Sequence, residues 1–258
     1  MTNTRKKSHP VIFSLMLGIL LTLLISIASA AATIMELSDN GILVAQAGAF
    51  LVMAVIVTVY MTRGSRSLAQ FGFKPLGGAS SKDALYYIPL LIIALVQPVI
   101  GGLNVKLTTA EVLFYLVFTL LVGFTEESVF RGIIRDKLKF KGSVFYIVFS
   151  SIFFGILHMS NALNGNDLAH VLMQVINALL LGCILALLIE TTGNIIPLIA
   201  FHFVYDALAF MTKENPDKEL LAVVILNLLY LVYGIYLVYN LRRRKKLNAA
   251  PGNGIHAT

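Results

Sequence analysis

Glu126 and Glu127, with Arg131 four residues on, interrupt a stretch that is otherwise compatible with lipid, Gly123-Phe-Thr-Glu-Glu-Ser-Val-Phe-Arg131. An ionisable side chain at bilayer depth costs about 2.5–3.5 kcal/mol on the more lenient scales, so each is a candidate functional group that needs a partner. Glu127 and Arg131 have the i, i+4 spacing with the acid on the N-terminal side, the favoured orientation for an ion pair along a helix face. Glu126 points about 100° away from its neighbour at 3.6 residues per turn. Two carboxylates in unlike surroundings can divide into one that supports and one that reacts. The plainer alternative is a solvated helix end at the membrane–water boundary.

Histidines weigh against that alternative. His158 closes the apolar run Phe145 to Leu157, with Phe154 one turn before it; His202 sits inside the run Ile195 to Phe210, with Asp206 one turn after it. A lone histidine in such a run is usually a packing residue. Two of them, with Asp206 and the Glu-Glu-Arg helix, are expected to face one another or a wet cavity. Such a set suits the activation of water: a glutamate as general base, imidazoles to position the water or bind a metal, and a further polar group for the developing oxyanion.

These side chains must be carried on helices that cross lipid. Of the 258 residues, 58% are hydrophobic and only 13% charged, about half the charge of a soluble domain. Apolar runs of near-spanning length cover 11–35, 41–62, 84–103, 110–125 with a polar extension, 143–160, 168–190, 194–212 and 219–241. They predict an all-α polytopic membrane protein of about eight transmembrane helices, with the reactive residues on the fourth, fifth and seventh. Arg5-Lys6-Lys7 before a long apolar run reads as the flank of an uncleaved first span rather than a signal peptide. Basic connections (Arg63 to Lys82, Arg135 to Lys141) alternate with neutral or acidic ones (Glu36, Asp39), and Arg242 to Lys246 follows the last span. The positive-inside rule then puts both termini in the cytoplasm of a multi-pass cell-membrane protein. The expected organisation is one membrane domain over 1–258, a core over 110–212 that carries the reactive residues and a basic cytoplasmic tail over 242–258. The net charge of +7 is accounted for by these flanks, which argues against a nucleic-acid partner. The single cysteine, Cys183, can build neither a disulfide framework nor a cysteine metal site.

Glu126-Glu127-x-x-x-Arg131, Phe154-x-x-x-His158 and His202-x-x-x-Asp206, in this order on separate helices, resemble the motifs of the CAAX-protease and bacteriocin-processing (CPBP, or Abi) family of intramembrane proteases, which includes the type II CAAX prenyl endopeptidases. The resemblance covers about Glu111 to Met211, and the family's last motif admits Asp or Asn at the position of Asp206. It implies a peptidase of about eight helices in which Glu126 activates a water held by His158 and His202 while Asp206 helps stabilise the oxyanion. The family is filed with metalloproteases. His158, His202 and Glu126 could hold a zinc ion with an open position for water, or the same groups could bind the water with no ion. His-Glu-x-x-His is absent, so the zinc-helix signature does not decide between them.

Depth along the helices adds an expectation. Counting about 1.5 Å per residue from the nearest basic boundary puts Glu126 roughly 14 Å deep, His202 roughly 16 Å and His158 roughly 25 Å. This mismatch predicts a water-filled chamber reached from the cytoplasmic side. His170, Gln174 and Asn177 form a polar stripe suited to interhelical hydrogen bonds. Gln97-Pro98 predicts a kink in the third helix, Asn194 and Pro197 open the seventh, and Glu190 ends the sixth at the interface. Phe71 to Pro75 reads as a membrane-hugging loop, with substrate entry as the alternative. The expected partners are the bilayer and a membrane peptide or protein, prenylated or not. Competing functions are a non-proteolytic bacteriocin self-immunity protein and a proton-coupled small transporter using Glu126, His202 and Asp206 as a relay.

Overall fold

The computed structural model describes residues 9–75, 81–164, 168–213 and 215–249. The Arg5–Lys7 flank, part of the 63–83 connection, and the end of the tail with His256 lie outside the described residues. Eight longer helices stand out among those described: α1 Pro10–Ile34, α2 Asp39–Thr62, α3 Ile88–Gly101, α4 Thr109–Glu127, α5 Ser143–Leu157, α6 Leu168–Thr192, α7 Ile196–Phe210 and α8 Pro216–Ala249. This is an all-α, multi-pass membrane fold. Six helical stretches are long and apolar enough to cross a bilayer. The other two, Leu85–Gly101 and Ile196–Phe210, are shorter than the apolar runs suggested. At 1.5 Å per residue they reach only about 25 and 22 Å, less than a hydrocarbon core of about 30 Å. Both pack against other helices, and α7 lies along α3 and α4.

Local signals fix the helix ends that matter. Thr108 and Glu111 form a reciprocal cap at the start of α4: the Thr108 hydroxyl accepts from the Glu111 N–H at 3.3 Å and Glu111 accepts from the Thr108 N–H at 2.8 Å. Helix continues past Glu127 as a π-helical turn over Ser128–Ile134, then through Arg135–Leu138. Such widened turns are frequent at functional sites. α7 opens as expected, with Pro in its first turn and the buried Asn194 side chain accepting from the Ile196 N–H at 3.1 Å.

The ends of the bundle differ. At one, the basic connections meet: Arg135 pairs with Glu190 at 2.6 Å, Gln70 donates to Asp136 at 3.0 Å, and Arg244 bonds Asp83 and the Thr191 carbonyl, both at 3.0 Å. Phe71 is buried, Gly72 accepts from the Ile195 N–H at 2.9 Å, and Asn194 donates to the Lys74 carbonyl at 3.3 Å. The Phe71 to Pro75 segment is therefore a latch across this end. At the other end, the segments after α3 and α7 pair through Asn104 N–H to the Met211 carbonyl, 2.8 Å, and Lys213 N–H to the Gly102 carbonyl, 2.9 Å.

Candidate active site

Close approach of α7 to α4 creates the cluster. A Cβ on Gly123 would stand 3.1 Å from the Phe203 backbone nitrogen and 3.3 Å from His202 Cβ, so glycine there lets the two backbones meet. One turn further along α4, Glu127 Oε1 faces His202 Nδ1 at 2.9 Å and Arg131 Nη1 at 3.0 Å. Glu127 and Arg131 have no solvent exposure, which rules out the solvated helix end. Arg131 also donates to the Gly182 carbonyl at 3.2 Å and lies over the Phe154 ring at 4.7 Å. A Cβ at Gly182 would crowd Phe154 at 3.2 Å and touch the guanidinium at 3.5 Å. The second Glu127 oxygen and Arg131 Nε are buried without a hydrogen-bond partner among the described residues.

His202 divides the site. Because a carboxylate only accepts, Glu127 requires the proton on Nδ1 and fixes the ring's orientation. Nε2, on the far side of the ring, lies 3.4 Å from Asp206 and 3.8 Å from Glu126, whose side chain is 14% exposed. The Glu126 separation is too long for a direct hydrogen bond, leaving that carboxylate free to take a proton. His158 stands apart from this group. Its Nδ1 is 2.8 Å from the Phe154 carbonyl, an acceptor only, so the neutral ring presents a bare Nε2 lone pair. Phe154 separates the imidazoles, with its ring 4.9 Å from that of His158 and 6.5 Å from that of His202.

A cavity of about 440 Å³ joins these parts; Phe154, His158, His202 and Asp206 line it. Of the six candidate residues, five form one contact network and His158 reaches the same cavity beside it. Among the described residues, no three His, Cys, Asp or Glu side chains gather in an arrangement able to hold a metal ion. His158, His202 and Glu126 thus do not present a formed zinc site, and the chemistry below is routed through side chains and water.

Other groups at the cavity carried weaker sequence signals. Tyr205 lines it, and Tyr230 donates to the Tyr205 hydroxyl at 3.1 Å. Gln97, noted only for its proline neighbour, lines it too. The polar stripe of α6 does bond between segments, with Asn161 donating to Gln174 at 3.0 Å and Asn177 to Asn227 at 3.4 Å.

Residues 108–208 match the family model described as Type II CAAX prenyl endopeptidase Rce1-like. This match supports the CAAX protease family for the core. The matched segment holds every residue of the cluster, and the match supports a CAAX-type intramembrane protease as the general class. Searches of curated proteins and of solved structures found no match.

Proposed function

We propose that the chain is an intramembrane endopeptidase in which Glu126 removes a proton from water as its oxygen attacks a peptide carbonyl. The observation that carries this reading is the division of labour around His202: Glu127 is committed to His202 and Arg131, whereas Glu126 is near Nε2 and unbonded to it. His158, its Nδ1 occupied by the Phe154 carbonyl, accepts a hydrogen bond from the water at Nε2 and holds it in the cavity. Collapse of the tetrahedral intermediate breaks the C–N bond, and the proton held by Glu126 passes to the leaving amine. Asp206 acts on the oxyanion through its neighbour His202, because an ionised carboxylate cannot donate. A positioned base of this kind contributes about 10²–10⁴-fold in rate.

In this reading the peptidase core is 110–212 within one membrane domain, and the cell-membrane protein has both termini and its basic tail, 242–258, in the cytoplasm. A membrane-associated peptide or protein is the substrate. N-terminal labelling of membrane-fraction proteins, compared between cells carrying the wild-type chain and the Glu126→Gln variant, tests the reaction. Cleavage products should disappear in the variant, and equally in His158→Ala and His202→Ala, while the proteins remain inserted. Persistence of the products in Glu126→Gln would remove Glu126 from the chemistry. Retained immunity in that variant, together with proton-coupled flux in liposomes, would favour the non-proteolytic readings.

A further inference from the structure

Among the described residues, the chamber's lining reaches the bundle end away from the basic connections. Beyond His202 and Asp206 its lining runs to Gly101, His170, Thr212, Lys213 and Lys218, the helix ends farthest from the basic loops. The mouth residues Lys213, Lys218 and Glu219 are exposed. Towards the basic end the bundle is filled instead. Ile133, Ile134, Leu138, Leu188, Ile189 and Ile195 all have no exposed surface. Outside this plug lie the Arg135–Glu190 ion pair and the Phe71 to Pro75 latch.

Charge tells the two ends apart. Of 20 lysines and arginines, only Lys106, Lys213 and Lys218 flank the mouth end, where Glu36, Asp39, Glu111 and Glu219 also lie. Arg131 is buried in the site, and all others are in the N-terminal flank, the two basic connections or the basic tail. Short loops rich in Lys and Arg stay on the cytoplasmic side. We propose that the chamber opens on the non-cytoplasmic face of the membrane, so that its substrate is a polypeptide presented from that face, the exposed or membrane-inserted end of an exported chain. This proposal departs from the cytoplasmic entrance that depth along the helices suggested. The side of the mouth is independent of the proposed reaction, whereas the substrate class rests on the peptidase reading.

Single cysteines placed in the full chain, on a Cys183→Ala background, test the side. Lys213→Cys and Lys218→Cys report the mouth, and Lys139→Cys and Phe140→Cys report the plugged end; all four positions are exposed. A membrane-impermeant maleimide is applied to intact cells holding the protein in the plasma membrane, then to permeabilised cells. The mouth cysteines should label before permeabilisation and the basic-end cysteines only after it. The reverse pattern overturns the proposal, and having two positions at each end guards against the failure of any one variant to insert. Product termini lost in Glu126→Gln should map to segments of exported or membrane-inserted proteins on the non-cytoplasmic side. Mapping to cytosolic C-termini overturns the substrate class. Absence of any difference in products overturns the peptidase reading and the substrate class together, while the labelling pattern still decides the side.

Discussion

The two faces of His202 are built from the same chemistry and differ in everything else. On the Nδ1 face, Glu127 and Arg131 are sealed from solvent, share one oxygen with the imidazole and sit against the π-helical turn of α4. On the Nε2 face, Glu126 and Asp206 retain 14% and 24% side-chain exposure, and neither approaches within 3.3 Å of the ring nitrogen. A buried pair with little slack is suited to holding a ring in place. An exposed pair with room between its members is suited to admitting a reactant. Adjacent glutamates on one helix thereby acquire opposite duties, because the helical rotation between them turns one into protein and the other towards the Nε2 side of His202.

The contrast can be broken most severely from the sealed face. Glu127→Ala leaves the Arg131 charge buried and uncompensated, which should cost about 3–5 kcal/mol and abolish cleavage through loss of the fold. Unfolding of the detergent-solubilised variant by heat or denaturant reads this directly, and unchanged stability would remove the structural duty from Glu127. Glu126→Gln should sharpen the contrast from the other side. Cleavage should fall by about 10²–10⁴-fold with stability preserved, as single-turnover assays on a mapped substrate would register. Gly123→Ala tests the helix contact that holds both faces in register. The added methyl meets backbone, so a loss of about 1–3 kcal/mol in stability and weaker cleavage are expected from the same two assays. Asn177→Ala, which removes a 3.4 Å contact to Asn227 away from His202, should cost only about 0.6 kcal/mol in the unfolding assay.

Much of the fold was legible because lipid imposes a length on apolar runs, and the eight runs correspond to the eight longer helices. The short reach of α3 and α7 was not, since flanking apolar residues extend both runs beyond the helices themselves. Within α4, the pairing of Glu127 with Arg131 was readable from spacing alone. Its sharing with His202 was not: those residues are 75 positions apart, and the glycine that lets α7 approach carries no local mark of a contact. Arg135 and Glu190, 55 positions apart, were likewise seen separately as a loop charge and a helix end. The roughly 25 Å reckoned between Lys141 and His158 agrees with the place of His158 at the far end of α5. His158 follows α5 at the end away from the basic connections, which is the observation the proposed entrance starts from.

Glu126→Gln, purified and examined for thermal unfolding and cleavage on the same preparation, tests the central claim most directly. The division around His202 predicts an unfolding temperature at or above that of the wild type, with cleavage lost. Cleavage retained at the wild-type rate, or an unfolding temperature lowered as far as that of Glu127→Ala, would contradict it.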